Sequence, residues 1–580
     1  MSNPEPVITN TSVVAPREVS EVKSLHLGEG IGTEVSQTSQ ESQETYNDEL
    51  TPPTEEENQT LRKVPDNLPL VGFALCLVEF AERASYYGAQ TLFSNFVQFP
   101  LPEALGWGLQ ASTGLALLFK FLAYIVPIFG GYWADTHVGR YKAIVIGVAI
   151  CGVAHIIQIV GAIPSVLQKG KDHAAPPFVI GLLLLAFGAG LFKPNISPTV
   201  LDQHKSQTPY VKTLKSGEAV IVDPETTHTR TMLLFYMFVN IGAFFMLATT
   251  YAEKYVGFWL AYLLPGIIYF LLPLLLLAVY KRTKRQPPSG NRELAEAFNI
   301  GWTALVQNKF QFWRKDFWEA AKPANLRSKG IEVPWTEISV LKVAKTIEAC
   351  DIFWFFPIYN LNDGGIGAVS TNQGASMITN GAPNDVLNNF NPLTLIVAIP
   401  ILTYVIYPFL DRRKLKPGPI TRMTIGFAIA TLAGVVGALV QWKVYQLSPC
   451  GSHASTCDEV ADISIWWQIP NTSLSAISEC FANVTAYEVA YARAPKSMKG
   501  IVIAIFLFMT ALSSALGEIL IPAIKDPWLI YIWGGPAVAL AIQTVIFWFR
   551  FKHMNSENYF ADTVDPSRVE EEEVLPKREV

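Results

Sequence analysis

Apolar runs, each long enough to cross the roughly 30 Å hydrocarbon core of a bilayer as a helix, recur along this 580-residue chain. Only 16% of the residues are charged, whereas a soluble protein carries about 25%. The two features together predict an all-α polytopic membrane protein. We place twelve transmembrane helices at residues 68–97, 111–134, 142–164, 177–197, 231–251, 257–280, 344–363, 390–411, 420–446, 463–490, 500–523 and 528–551.

The long connection 281–343 divides these helices into six plus six, which is typical of the major facilitator fold. Its aromatic and basic residues are compatible with an amphipathic helix on the membrane surface or with a partly ordered linker. We therefore predict two six-helix bundles, 66–280 and 344–552. The polar segments 1–65 and 553–580 are predicted to be tails, and 1–65 is predicted to be disordered.

Basic residues in the connections predict the orientation of the chain. The connections after helices two, six, eight and ten are rich in Lys and Arg, whereas 98–110, 364–389 and 446–462 contain neither. With an even number of helices, both termini lie in the cytosol. The plasma membrane is the expected location of this multi-pass protein, with the vacuolar membrane as the alternative.

The first apolar run carries three ionisable residues that a helix would place on one face. Glu79, Glu82 and Arg83 stand at positions i, i+3 and i+4, and Tyr86 extends the same face. Each charge costs roughly 3 kcal/mol to insert, so this face must turn toward other helices or a water-filled cavity. A carboxylate whose cation can be captured by a substrate can change its protonation state, which is what proton coupling requires.

Two further charges lie in the apolar runs of opposite halves. Lys193 in the fourth run either pairs with Glu79 or Glu82 or extends to the membrane interface. Glu479 in the tenth run is expected to face a cavity. A zwitterion between the halves would then meet cations on one side and an anion on the other, and its contacts could draw the halves together.

The cysteines and the known catalytic motifs add little to the functional prediction. Cys450 and Cys457 share a loop predicted to be extracellular or lumenal, where a disulfide is expected. The chain shows no phosphate-binding loop, nucleophile elbow, metal-ligand spacing or dinucleotide fingerprint. We expect no enzyme activity, no metal, no cofactor and no nucleic-acid partner.

Several motifs resemble the signatures of the proton-dependent oligopeptide transporter family, which belongs to the major facilitator superfamily. They agree in four separate helices, and the segments around Asn391 and Glu479 are most similar to its fungal branch. The match runs from about residue 68 to 552. The motifs are Glu79-x-x-Glu82-Arg83-x-x-Tyr86-Tyr87-Gly88, Gly130-Gly131-Tyr-Trp-Ala-Asp135-x-x-x-Gly139-Arg140, Phe192-Lys193-Pro194-Asn195 and Phe235-Tyr236-Met-Phe-Val-Asn240-Ile-Gly242.

The resemblance implies a proton-coupled symporter that imports di- and tripeptides by alternating access, working as a monomeric unit in the lipid bilayer. It assigns proton coupling to the helix-one acids together with Arg83 and Lys193, and it assigns the peptide carboxylate to these two cations. The peptide amino end is assigned to Asn240, Asn391 and Glu479. The pocket wall is assigned to Tyr86, Tyr87 and Tyr124.

The seventh predicted helix departs from the family pattern. Asn360 stands where relatives often have a pocket tryptophan, and Asp363 lies one residue from the position of a carboxylate in many of them. That shift turns Asp363 by about 100° around a helix, so it replaces that acid or faces the extracellular gate. The alternatives are a family member that carries nitrate or an amino-acid conjugate, and a nutrient sensor that does not transport. Glu479 would repel nitrate, and a sensor has no need of proton-coupling groups.

Overall fold

The computed structural model describes residues 52–555 with internal gaps, so residues 1–51 of the predicted N-terminal tail and 556–580 of the predicted C-terminal tail lie outside it. The gaps are 205–207, 215–216, 286, 289–292, 312–313, 315, 363–365, 407–408, 410–412, 414–416, 487–488 and 490–498.

Helices make up most of the described chain. The first half contains α1 Glu55–Thr60, α2 Leu70–Gln90, α3 Phe93–Gln98, α4 Gly108–Trp133, α5 Arg140–Ala162, α6 Pro164–Leu167, α7 Lys171–Leu201, α8 Pro224–Ala243, α9 Met246–Tyr255, α10 Phe258–Tyr269 and α11 Leu271–Val279. The remainder contains α12 Glu293–Gln307, α13 Pro323–Arg327, α14 Glu337–Ala349, α15 Phe356–Asn362, α16 Gly367–Ala375, α17 Phe390–Ile401, α18 Pro419–Leu447, α19 Ile469–Phe481, α20 Lys499–Leu520 and α21 Leu529–Phe551.

Five short strands accompany the helices: β1 Lys63–Val64, β2 Tyr210–Thr213, β3 Ala219–Val222, β4 Met377–Ile378 and β5 Ala461–Ser464. They form one sheet in the order β1-β3-β2 and a parallel pair of β4 with β5.

Eight described helical segments are long and apolar enough to span a membrane. The other four predicted spans are interrupted, shortened or charged. The first divides into α2 and α3, and α2 contains the three ionisable residues. The seventh begins earlier than predicted, at Glu337, and breaks at Asp351–Phe355 before α15. The eighth begins with α17 and continues through a π-helical turn at Leu402–Ile406, the tenth begins with α19, and both run into residues outside the described part of the chain. The helical membrane fold of the prediction is therefore present.

Glycines allow the helices of the first bundle to approach closely. A Cβ at Gly147 on α5 would lie 2.7 Å from the carbonyl oxygen of Gly188 on α7. A Cβ at Gly130 on α4 would lie equally close, at 2.7 Å, to the carbonyl oxygen of Gly190. Because no side chain fits between them, the backbones of α4, α5 and α7 touch. This packing carries the middle of α7 into the interior of the bundle.

The segment Glu55–Val64 is ordered, contrary to the disorder predicted for residues 1–65. Thr54 and Glu57 form a capping box at the start of α1. Lys63 and Val64 then pair in parallel with Ile221 and Val222 of β3. Composition alone missed this order because the partner strand lies more than 150 residues away.

The connection between the bundles contains an amphipathic helix, α12. Ile300 and Ala304 are buried in a local core with Leu326, whereas Phe298 and Trp302 are exposed. The two exposed rings are stacked, with centroids 6.4 Å apart. The helix thus presents an aromatic face opposite its buried residues, and its position along the membrane surface stays a prediction.

The described hydrogen bonds that join the two bundles all lie at one end of the molecule. We call it the disulfide end, because it carries the loop containing Cys450 and Cys457, and we call the opposite end, with the 281–343 connection, the linker end. At the disulfide end, Asn95 of the first bundle bonds Asn384 of the second, and Asn388 donates to Thr91. The structure is therefore closed at the disulfide end.

Candidate functional site

A cavity of about 390 Å³ lies between the two bundles. Its walls combine apolar side chains with a small number of polar and charged ones, as ligand sites do. The residues that matter for the argument are Tyr87, Lys120, Tyr236, Asn240, Asn391 and Glu479.

The predicted charged face of helix one exists and is buried. Arg83 lies between the two acids, with Nε 2.9 Å from Glu79 Oε1 and a terminal nitrogen 2.6 Å from Glu82 Oε2. All three residues are at most 5% exposed. One guanidinium therefore neutralises part of the charge of two carboxylates inside the bundle.

Gly242 allows α8 to pack closely against this face of α2. A Cβ at this position of α8 would lie 2.6 Å from the carbonyl oxygen of Phe80 and 3.0 Å from Cβ of Arg83. The glycine therefore lets α8 contact the backbone of α2 one turn from the ion pairs. It also brings Asn240, two residues earlier, to the cavity wall.

Lys193 points into the bundle rather than extending to the membrane interface. Its ammonium lies 3.7 Å from the centre of the Tyr86 ring. It is also within electrostatic range of both Glu79 and Glu82. Lys193 therefore does not extend to the interface but lies over the Tyr86 ring, near the helix-one acids, and four ionisable groups form one cluster.

Tyr86 and Tyr87 separate this cluster from the cavity. The guanidinium carbon of Arg83 lies 5.3 Å and 5.9 Å from the centres of their rings. Tyr87 lines the cavity. Tyr124 on α4 lies close enough to Tyr87 and Glu479 to interact with them electrostatically. Access from the cavity to Arg83 therefore passes these aromatic rings.

The second bundle contributes an amide and a carboxylate that are already joined. Asn391 at the start of α17 donates from Nδ2 to Glu479 Oε1 on α19, at 2.9 Å. Both residues line the cavity. Asn240 lies on the wall of the first bundle, and its amide donates to the carbonyl of Tyr236 at 2.8 Å. The predicted amino-end residues thus share one cavity.

Lys120 is a cavity residue that the sequence analysis missed. It lies on α4 in the first bundle, lines the cavity and acts electrostatically on Glu479 of the second. The signal was present, because a lysine inside the apolar run Leu117-Leu118-Phe119-Lys120-Phe121 is as costly as the charges of helix one. The cavity therefore contains opposite charges on its two walls.

The expectation for helix seven is wrong at Asn360. Its side chain is buried between helices, with its amide 3.3 Å from the Thr510 hydroxyl, and it does not line the cavity. The break at Asp351–Phe355 changes the rotation of α15, so Asn362 lines a neighbouring cavity of about 150 Å³ instead. Asp363 lies outside the described residues.

The loop at the disulfide end contains Cys450 and Cys457 joined in a disulfide. Among the described residues, no cluster of His, Cys, Asp and Glu is arranged to hold a metal ion.

Comparisons with known proteins agree on one family. A profile described as "PTR2: POT family" matches residues 141–533. The chain is 52% identical to MFS-type transporter ucsM of Acremonium sp over 88% of each chain. It is 38% identical to Peptide transporter PTR2 of Candida albicans over 90% of this chain and 88% of that one.

A solved structure shares the fold. The in meso crystal structure of the POT family transporter PepTSo superposes with a TM-score of 0.64 at 21% identity, over 84% of this chain and 99% of that one. The family profile covers well over half of the chain, and the Candida relative is 38% identical over 90% of this chain. This chain belongs to the POT family.

Proposed function

We propose that this protein is a proton-coupled symporter that imports di- and tripeptides by alternating access, as a monomeric unit. The observation that supports it is the cavity between the bundles, with Asn391 and Glu479 on one wall and the cation cluster behind Tyr87 on the other. A peptide in an extended form presents an ammonium and a carboxylate at its two ends, which this arrangement of charges complements.

Proton coupling is assigned to the helix-one cluster. Arg83 is held by Glu79 and Glu82 in the empty site, so it is not available to a substrate. Protonation of these acids releases the guanidinium, which can then bind the peptide carboxylate together with Lys193. Substrate and proton therefore bind in the same step of the cycle, and neither a metal nor a cofactor takes part.

Because the disulfide end is closed, we infer that the central cavity is reached from the linker end. The basic connections predict that the linker end is cytosolic. We infer an inward-facing state of an importer in the plasma membrane, with both termini in the cytosol. The vacuolar membrane is the alternative location.

The direct test is uptake by the purified protein in proteoliposomes. An inward proton gradient should drive accumulation of a radiolabelled dipeptide and a tripeptide, and a protonophore should abolish it. Nitrate and an N-acyl amino-acid conjugate in the same assay test the alternative substrates. Binding of peptide without uptake would instead support a sensor, and accumulation that ignores the proton gradient would refute the proposed coupling.

A different substrate within the same family has one observation in its favour. Lys120 acts on Glu479, the residue assigned to the peptide ammonium. A cation on the facing wall weakens attraction for an ammonium and favours an additional negative group on the substrate. An acidic or N-acylated peptide is therefore the second candidate. The uptake assay described above, which includes the N-acyl conjugate, distinguishes the two substrates.

A further inference from the structure

The disulfide end is closed by a loop of the second bundle that we call the plug, Met377–Asn389. Side chains of the first bundle hold it through its backbone. Lys254 on α9 donates to the carbonyl of Ala382 at 2.6 Å, and the Tyr255 hydroxyl donates to the carbonyl of Gly381 at 2.6 Å. The plug can therefore separate from α9 only when these contacts break.

Two carboxyl groups meet beneath this contact, one from each bundle. Glu253 on α9 is 9% exposed and Asp385 in the plug is 1% exposed. Asn95 connects them, because its amide donates to Glu253 Oε1 at 2.7 Å and to Oδ1 of Asn384, the neighbour of Asp385, at 2.8 Å. The two carboxyl groups lie within hydrogen-bonding reach of each other.

Their remaining oxygens lack well-formed hydrogen bonds. Within the described part of the chain, Glu253 Oε2 and both carboxylate oxygens of Asp385 are buried without a partner in good geometry, and besides Glu253 only the Thr91 hydroxyl and the backbone N–H of Asp385 come near the Asp385 carboxyl group. A shared proton supplies the missing donor, as it does in other carboxyl pairs. Two adjacent ionised carboxylates in this position would repel each other and leave these oxygens unsatisfied.

The charged and titratable groups around the pair do not replace that proton. Lys254 directs its ammonium to the plug, toward Ala382 and Thr379. The Tyr262 hydroxyl on α10 lies near Glu253 and is a weak acid that carries no positive charge.

The pair lies between two cavities that are large enough to hold water. A vestibule of about 590 Å³ at the disulfide end is lined by Glu253 and Asn384. On the other side, Thr91 neighbours Asp385 and lines the central cavity. A proton entering from the vestibule reaches Glu253 first, and the pair separates this route from the substrate cavity.

We propose that Glu253 and Asp385 form a proton-binding site, separate from helix one, in which one shared proton holds the plug closed. The ligand is a proton taken from the vestibule. When the site is empty, repulsion between the two carboxylates favours separation of the plug from α9 and opening of the disulfide end. The inference does not depend on what the central cavity carries.

The direction of the pH effect follows from linkage. Burial raises the pKa of Asp385 to about 7 in the closed arrangement, and in an open plug the group returns toward its usual value of 3.8. The closed form thus binds the extra proton, so closure is favoured at low pH and lost as the pH rises through about 7. This difference changes the closed-to-open ratio about a hundredfold between pH 8 and pH 5.

The test measures the opening of the disulfide end rather than transport. Spin labels at Val256 in the first bundle and Val460 in the second, both exposed, report the separation of the bundles in the full chain in lipid nanodiscs. The expected result is a shift from short to long distances between pH 5 and pH 8. Asp385→Asn and Glu253→Gln should each remove most of this shift and leave the plug closed at pH 8.

Glu103→Gln is the matched control, because this exposed carboxylate lines the same vestibule, and it should leave the shift unchanged. An unchanged pH shift in Asp385→Asn would overturn the proposal.

Infrared difference spectroscopy of the unsubstituted protein provides an independent test: the band of a protonated carboxyl group should disappear when the pH is raised. A folded protein without that band would also overturn it. Failure of peptide uptake would refute the proposed transport function and leave this result intact.

Discussion

Replacing Glu479 by Gln removes one charge from the cavity and changes little else. Glutamine has the same size, and its carbonyl oxygen can still accept the hydrogen bond that Asn391 gives to Glu479 at 2.9 Å. The position of α17 relative to α19 should therefore be kept. Any loss of affinity then reports the charge that the substrate ammonium meets.

The size of the loss follows from two opposing effects. Unit charges about 4 Å apart attract by roughly 4 kcal/mol at the effective dielectric constant of a partly solvated protein site. Lys120 on the facing wall reduces the negative potential that Glu479 presents. We therefore expect a loss of about 2 kcal/mol, which corresponds to about a thirtyfold rise in Kd.

The assay is calorimetric titration of a tripeptide and its Nα-acetylated form against the unsubstituted and Glu479→Gln proteins. The free peptide should lose about thirtyfold in affinity, and the acetylated form, which has no ammonium, should be nearly unaffected. Glu518→Gln is the matched control, because Glu518 is also a helical glutamate but lies outside the central cavity. Comparable losses for both ligands would refute the assignment of Glu479 to the ammonium.

Three further predictions address the other parts of the site. Glu82→Gln should abolish uptake driven by a pH gradient without changing thermal unfolding, because the side chain loses its titratable proton; fully retained uptake in proteoliposomes would contradict the coupling role. Gly242→Ala places a Cβ 2.6 Å from the Phe80 carbonyl oxygen, so it should lower the free energy of unfolding by about 1–3 kcal/mol in thermal denaturation. Gly301→Ala is the control, because no atom lies within 4 Å of its new Cβ, and it should not destabilise the protein. Lys120→Met should tighten binding of peptides with a free amino end by about 1 kcal/mol, roughly fivefold in Kd, and weaker binding would show that Lys120 holds the substrate.

The sequence predicts site residues best where burying the side chain costs much free energy, as it does for a charged group. The charges of helix one were identifiable because charged residues are rare in apolar runs, and helical spacing placed them on one face. The same reasoning applies to Lys120, a single cation inside an apolar run. Glu253 was missed for a different reason, since a charge at the end of an apolar run resembles an ordinary interfacial residue.

The failures come from geometry that local sequence does not contain. The pocket position of Asn360 came from its alignment with a tryptophan of relatives, and the break at Asp351–Phe355 precedes a helix in which Asn360 packs against Thr510 instead. The ordered strand Lys63–Val64 depends on β3, far along the chain. The carboxyl pair of the disulfide end joins residues more than 130 positions apart, so only packing of the two bundles brings it together.

The charges around the cavity balance. Glu79 and Glu82 face Arg83 and Lys193, and Lys120 acts on Glu479. In their ordinary ionisation states, these side chains sum to zero. The return of the empty carrier across the membrane voltage then moves no net charge from this set. Membrane voltage should therefore act mainly on the loaded step of the cycle, in which the charge that moves is that of the substrate plus the protons that accompany it.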